Sequence, residues 1–453
     1  MNTLHEPARD IPVIADCDLV VVGGSCTGVF AAIAAARLGL SVCLVEQFNQ
    51  FGGTATASMV CCWHALWDTA GKIEITAGLT REVVERLRRR GALYETERTN
   101  PHLQFGFVPA ELACELDVMV LEHRIRPFLH ARVAAVVRDG RTVSAVVIED
   151  KSGRRAIRTR AVVDASGDAD VLRHAGVAVH RHAKVQPATT AVMVSGLDEV
   201  RRADPAFNLG QVIFDPADPR ALRRGFVWGS RVAGVAGQGL IFGTRVHDLD
   251  ACDADSLTRA EIEGRNQARR IIDLVRAKHP DQPVAMTALP ARIGIRESCH
   301  ADCQHRLTEA EVLNGVRFPD AIANSCYRVD IHPQGGAGII FRYLDGREMQ
   351  QDAADQPGVW SRWRPEQTVD PTFYQVPYRS LVPRDLDNVL VAGRCLDADT
   401  GAFGAVRVMV VCNQMGEAAG TAAALALRGG STMAAVDAQV LRRTLSEHGA
   451  IML

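Results

Sequence analysis

Asp330-Ile331-His332 carries a carboxylate and an imidazole two positions apart. In an extended segment such residues share one face. The carboxylate can then orient the ring and raise its basicity, as proton transfer requires. Pro333-Gln-Gly-Gly336 follows and suggests a sharp loop close to another backbone. Arg296-Glu297, after Ile293-Gly-Ile295, offers a guanidinium that could clamp a carboxylate or carbonyl bidentately. The alternative is an Arg–Glu ion pair bracing two parts of the fold. Tyr378-Arg379, after Val376-Pro377, suits an anionic or enolate-like substrate, or a buried junction tyrosine with a paired arginine. His64, beside Trp63, completes the catalytic candidates His332, Arg296, Tyr378, Arg379 and His64.

The cysteines point away from two other chemistries. Cys61 and Cys62 are adjacent, and no C-x-x-C or C-x4-C lies near the opening, so a disulfide reductase is not expected. Cys299-His300, Cys303 and His305 have the ligand types for zinc, but the spacing is compact and lacks a partner knuckle. They read as an ordinary helix or loop, and no metal site is expected.

These residues need a scaffold, and its first piece is the opening of the chain. Asp18-Leu-Val-Val-Val22 reads as a buried strand running into Gly23-Gly-Ser-Cys-Thr-Gly28. An Ala-rich helix from about Thr27 to Leu38 follows, then Gly39, a second apolar run over 41–45, and Glu46. Strand, Gly-rich turn, helix, strand and acid form the dinucleotide-binding βαβ pattern. Gly23 permits the turn, and Gly28 lets the helix pack closely on the sheet. The helix N-terminus offers N–H groups to a pyrophosphate. Glu46 can accept hydrogen bonds from ribose hydroxyls. The middle glycine of the pattern is replaced by Ser25.

Composition sets bounds. A chain of 453 residues predicts two interleaved domains. A net charge of −2 gives no reason to expect nucleic acid or an anionic membrane surface as a partner. Twelve scattered cysteines suggest free thiols and a reducing, cytoplasmic compartment. Residues 1–12 lack a secretory pattern, and the apolar stretch 29–36 is far short of a membrane span.

Further along, a helix is expected over 79–90 and another over 110–123. The period then changes to two. Runs over 132–137, 142–148 and 156–163, joined at Asp139-Gly140 and Ser152-Gly153, predict a three-stranded meander. It ends in Asp164-Ala-Ser-Gly-Asp-Ala-Asp170, with Asp170 expected to cap a helix at Val171. Thr258-Arg-Ala-Glu261 and Thr308-Glu-Ala-Glu311 read as capping boxes, the first opening a helix to about Lys278. Near the end, Asn388-Val-Leu-Val-Ala-Gly-Arg394 predicts a strand and turn. A long helix over 405–427 follows, whose N-terminus near 404–407 could face an anion or simply begin a helix packed on the sheet.

Together the motifs 20–28, Glu46 with 51–56, 162–170, 292–298, 327–332, 376–381, 390–394 and 405–409 resemble the FAD-dependent oxidoreductase family. This is a glutathione-reductase-like group with a bacterial subgroup distantly similar to fumarate reductase flavoproteins. The resemblance covers most of the chain. It implies an α/β fold: a Rossmann-like FAD-binding domain with an antiparallel β-meander, and an inserted α+β substrate or cap domain. The division expected is 14–60, 103–186 and 371–453 for the first, and 61–102 and 187–370 for the second. It implies FAD as cofactor, contacted by Gly23, Gly24, Ser25, Cys26, Thr27, Gly28, Glu46, Gln47, Gly53, Thr54, Val133, Ala165, Ser166, Gly167, Gly393, Arg394, Ala405 and Val406. Ser25, Cys395, the 397–399 loop and the 298–305 stretch depart from the pattern.

The function implied is hydride transfer between a polar small-molecule substrate and flavin N5, as dehydrogenase or oxidase. An enoate- or fumarate-reductase-like C=C reductase is the alternative, ahead of a monooxygenase, whose Gly-Asp motif is Gly393-Arg394 here. A non-redox flavin-binding or assembly role is the alternative of another class. The partners expected are a small-molecule substrate and a second copy in a homo-oligomer.

Overall fold

The computed structural model describes residues 3–64, 66–98, 104–223, 225–333, 338–352 and 356–453. The expected loop at Pro333-Gln-Gly-Gly336 falls mostly outside the described residues, as does the domain limit placed at 102–103. The fold is α/β and is built on one mixed sheet. Its strands are β1 (Val13–Val22), β2 (Val42–Val45), β3 (Arg126–Phe128), β4 (Arg132–Asp139), β5 (Thr142–Asp150), β6 (Gly153–Asp164) and β7 (Val389–Val391). β3, β2, β1, β6 and β7 lie parallel in that order. The end of β1 and all of β2 are buried on both faces, as a central parallel strand requires.

The meander forms, but its third strand does more than expected. β6 is twelve residues long. Its first half pairs antiparallel with β5, and its last residues pair parallel with β7, while β1 runs along its other edge. Val22 and Val391 are both register partners of Asp164, and Val45 is a partner of Val22. Four parallel strands therefore end at one level, and their following loops converge at the carboxyl edge of the sheet, where α/β folds bind ligands.

Helix α1 (Cys26–Arg37) is sandwiched between this sheet and a long C-terminal helix. The predicted 405–427 helix is in fact two, α2 (Thr400–Val406) and α3 (Met409–Gly429), broken at Arg407-Val408. The Ala-rich faces have a reason. A Cβ on Gly416 would lie 2.0 Å from the Thr27 carbonyl oxygen, and one on Gly420 2.0 Å from that of Ala31. Only small residues permit so close a contact. The helix Leu79–Arg89 packs against α3 and against the helix Pro109–Glu122.

The middle of the chain adds two antiparallel four-stranded sheets. One runs 228–231, 238–242, 192–195, 285–288, and the other 329–331, 339–342, 347–351, 359–362. The helix Ala254–Lys278 packs against the first through Ala268, Ile271, Ile272 and Val275. It starts four residues before Thr258, because Asp253 caps it by accepting from the Ser256 amide. Thr258 instead donates to the Ala254 carbonyl within the helix. The second capping box forms as expected, Thr308 and Glu311 capping each other's backbone. Asp170 does not cap its helix; Asp164 accepts from the Val171 amide in its place. Among the described residues no helix is long and apolar enough to cross a membrane.

Candidate active site

A cavity of about 660 Å³ opens from the carboxyl edge of the main sheet into the middle of the chain. Its floor is the set of converging loops. Gly23 has φ +96°, and a Cβ there would lie 2.4 Å from the Ala165 carbonyl oxygen. Gly53, at φ +55°, would strike the Ser25 Cβ at 2.7 Å. The loop after β1 thus packs tightly against those after β2 and β6. Glu46 closes the floor. Its buried carboxylate accepts from the Gly24 amide at 2.6 Å and the Phe48 amide at 2.9 Å. Burial raises its pKa, against the pull of those amides and of Arg292.

Most of the expected cradle lines this cavity: Gly23, Ser25, Cys26, Thr27, Glu46, Gln47, Gly53, Thr54, Val133, Ala165, Ser166, Gly167, Gly393 and Arg394. Gly24 and Gly28 do not. Gly24 works through its amide on Glu46. Gly28 packs on the turn, where a Cβ would lie 1.7 Å from the Gly23 carbonyl oxygen. Ala405 and Val406 are displaced from the cavity by the break between α2 and α3. The wall is formed instead by Arg407, Val408, Met409, Cys412 and Asn413, at the start of α3.

Among the described residues, both amide atoms of Asn413, Arg394 Nη1 and Arg407 Nε are buried without a hydrogen-bond partner. Buried polar groups are otherwise nearly always satisfied. Arg394 is held by Asp168 at 3.1 Å, and Asp168 in turn accepts from Ser298 at 2.6 Å. A Gly-lined turn, a carboxylate at the end of β2 and unsatisfied donors along the wall fit a dinucleotide cofactor in this cavity.

The far end of the cavity holds the titratable cluster. His64, Arg296, Tyr327, Arg328, Asp330, His332 and Arg407 line it, with Trp228, Phe341, Tyr343 and Trp360 as apolar walls. Asp330 sits on the 329–331 strand, against which α2 packs so closely that a Cβ on Gly404 would lie 2.8 Å from the Asp330 carbonyl oxygen. Asp330 Oδ2 accepts from the Tyr327 hydroxyl at 2.9 Å and lies 3.4 Å from Arg407. Asp330 Oδ1 is 3.2 Å from His332 Nε2, off the line of a hydrogen bond. Arg245 reaches His332 Nδ1 at 3.4 Å. Arg296 donates to the Pro187 carbonyl and to Thr189. It makes no ion pair with Glu297, which faces the opposite way, toward His182.

The electrostatics correct one expectation. The Asp330 carboxylate does raise the basicity of His332, as expected, but it is outweighed. Desolvation and the nearby Arg296 hold the His332 pKa well below its ordinary value. Desolvation likewise lowers His64, whose ring lies against Tyr327 at 4.2 Å, to about 3. Burial opposes ionisation of Asp330, but His332, Arg407 and Arg328 overcome it and hold the carboxyl well below the usual range. Desolvation, then Arg245 and Arg407, push Arg296 well below an ordinary guanidinium. The result is two neutral imidazoles and an ionised Asp330 among four arginines.

Tyr378 and Arg379 are not brought here. The Tyr378 hydroxyl donates to the Met433 carbonyl in the core, and Arg379 pairs with Asp320 near the surface. Both side chains find local partners where the 374–377 strand ends in a 3-10 turn. Tyr327, Arg328, Arg407 and Asn413 are the residues that motif reading did not assign. The first three lie in motif segments flanking Asp330 and α2. Asn413 carries no sequence signal.

The fold and cavity define a dinucleotide-binding oxidoreductase. The chain matches the family model described as FAD dependent oxidoreductase over residues 18–445, and it belongs to that family. It is thus a flavoenzyme whose cofactor is FAD. Local sequence similarity extends to a 4-oxocyclohex-2-ene-1-carboxylate 5-dehydrogenase of Sinomonas cyclohexanicum, 42% identical over 69 residues. That match covers 15% of this chain and 11% of the relative. A ferredoxin–NADP reductase of Saccharopolyspora erythraea is 37% identical over 84 residues, 18% of this chain and 24% of the relative. Among solved structures, a geranylgeranyl bacteriochlorophyll reductase-like protein of Thermoplasma acidophilum aligns at TM-score 0.45 and 12% identity, covering 96% of this chain and 83% of that one. A p-nitrophenol 4-monooxygenase of Pseudomonas putida aligns at TM-score 0.43 and 11% identity, covering 96% and 84%.

Proposed function

We propose that this flavoenzyme carries out a two-electron oxidation, by hydride transfer to flavin N5, of a small carboxylate-bearing molecule with an apolar or ring-shaped body. One observation carries the reading. The cavity that begins at the dinucleotide cradle ends in a pocket where Arg296, Arg328 and Arg407 face a single ionised carboxylate, Asp330. Bound FAD supplies the electron acceptor. The chain supplies the rest. The surplus of guanidinium charge binds and orients an anion, and in a low-dielectric pocket its field is strong. Trp228, stacked on Phe242 at 4.0 Å, together with Phe341, Tyr343 and Trp360, encloses an apolar body and excludes water. His332, kept neutral with Nδ1 accepting from Arg245, carries its proton on Nε2 and can donate it in a hydrogen bond to a substrate oxygen beside Asp330. The dehydrogenase of Sinomonas cyclohexanicum is named for a ring carboxylate, which agrees with this substrate class, although its match is short.

The test is anaerobic reduction of the FAD-loaded enzyme by a panel of cyclic and aromatic carboxylic acids, each paired with its amide. Acids should bleach the flavin at concentrations at least tenfold below those their amides need. Equal bleaching by both members of each pair would overturn the anionic-substrate reading.

A further inference from the structure

Outside the flavin cavity, His182 meets Glu297 and His300, which lie three positions apart, in the interior. His182, Glu297 and His300 each place one ligand-type atom within 4.8 Å of the others. Their side chains are only 7%, 0% and 0% exposed. Each ring has its other nitrogen already committed. His182 Nε2 is 3.0 Å from the Ala398 carbonyl, and His300 Nδ1 is 3.1 Å from that of Leu396. A carbonyl only accepts, so those nitrogens carry the protons. His182 Nδ1 and His300 Nε2 then turn toward the same carboxylate, Glu297 Oε1, at 2.5 and 3.6 Å. One proton can satisfy the His182–Glu297 contact. His300 Nε2 is left fully buried without a hydrogen-bond partner among the described residues, its lone pair facing an anion.

We propose that His182 Nδ1, Glu297 and His300 Nε2 form a divalent transition-metal site, with zinc the ion that suits it. Two imidazoles and a carboxylate are ordinary zinc donors. A backbone carbonyl behind each metal-binding imidazole is the recurring arrangement that fixes its tautomer. Donors on a tetrahedral zinc lie roughly 3.3 Å apart, from bonds of about 2.0–2.1 Å. The 3.6 Å pair already meets this. The His182–Glu297 contact opens by under about 1 Å as the ion replaces its proton. His180, stacked on His300 at 5.3 Å, is not a ligand, because Asp397 holds its Nε2 at 3.0 Å. The ion would tie the loop after β7 to the strand pair 179–180 and 300–301. It would also act on the active site through Gln186. The Gln186 amide donates to Glu297, and its side chain accepts from Arg407 and the His332 amide.

The experiment uses the FAD-loaded protein, stripped with a chelator, given excess Zn²⁺ or Co²⁺ and desalted. Wild type should keep about one ion per chain, and the cobalt form should show visible bands to the red of the flavin. H182Q and H300Q should each lose at least tenfold in metal retention with FAD content unchanged, and H180Q should keep it. X-ray absorption at the zinc edge of wild type should show nitrogen and oxygen neighbours with imidazole scattering. Retention below about a tenth of an ion by wild type would overturn the proposal. So would a sulfur neighbour, which would place the ion on thiols such as Cys252 and Cys299 instead. The wild-type measurements decide the matter even if a histidine variant fails to fold.

Discussion

Glu417 offers a quantitative test of how the sheet-bearing part of the fold is held. It lies on α3, buried, and its carboxylate accepts from the Leu79 amide at 3.2 Å, at the start of the helix Leu79–Arg89. Burial outweighs that hydrogen bond and raises its pKa to about 7 from an ordinary 4.5. The folded state therefore favours the protonated form. The stability this brings is complete below pH 4.5, declines as the pH rises, and is gone above pH 7. A displacement of that size corresponds to about 3 kcal/mol in all, of which about 2.5 kcal/mol is lost between pH 5 and pH 9. In Glu417→Gln the amide oxygen still accepts from Leu79, but nothing ionises. The variant should match wild type near pH 5 and exceed it increasingly toward pH 9. With an unfolding entropy of about 2.1 cal/mol/K per residue, the gap in Tm for the whole chain opens by roughly 2–3 °C. Calorimetry of the FAD-loaded pair across that range is the assay. A Tm difference that stays constant with pH would show that Glu417 is ionised in the fold, and the account of its burial would be wrong.

Two further predictions separate the cavity from its surroundings. Gly28→Ala places a Cβ on the Gly23 carbonyl, so FAD retained after gel filtration should fall at least tenfold, whereas retention like wild type would refute the role given to that turn. Tyr378→Phe removes the hydroxyl that donates to the Met433 carbonyl, leaving it the Val436 amide at 3.5 Å, and should cost about 1 kcal/mol of stability, while flavin reduction by a given substrate proceeds at the wild-type rate; slower reduction would return Tyr378 to the active site.

The parts of this protein that were legible in the sequence are those whose physics is local. In the β1–α1–β2 turn the contacts of Gly28 with Gly23, of Gly53 with Ser25 and of Glu46 with the Gly24 amide all fall within thirty residues, whereas Gly23 itself packs on Ala165, 142 positions on. Asp330 and His332 met because an extended strand puts alternate residues on one face. What could not be read was long-range. The basicity of His332 is set by Arg296 and by desolvation, and neither is visible from the neighbouring Asp330. Tyr378-Arg379 carries the same residue types as a catalytic pair, yet its partners Met433 and Asp320 lie 55 and 59 positions away.

The break between α2 and α3 shows the same limit in the backbone. Alanine-rich composition favours one continuous helix over 400–429, yet the chain stops and restarts at Arg407-Val408. Val408 is extended at φ −68° and ψ 145°. The interruption lets Arg407 reach Asp330 and Gln186, and it turns the first residues of α3 toward the cavity. Helix propensity runs through Arg407-Val408, whereas the break is set by the long-range contact of Arg407 with Asp330, which composition does not show.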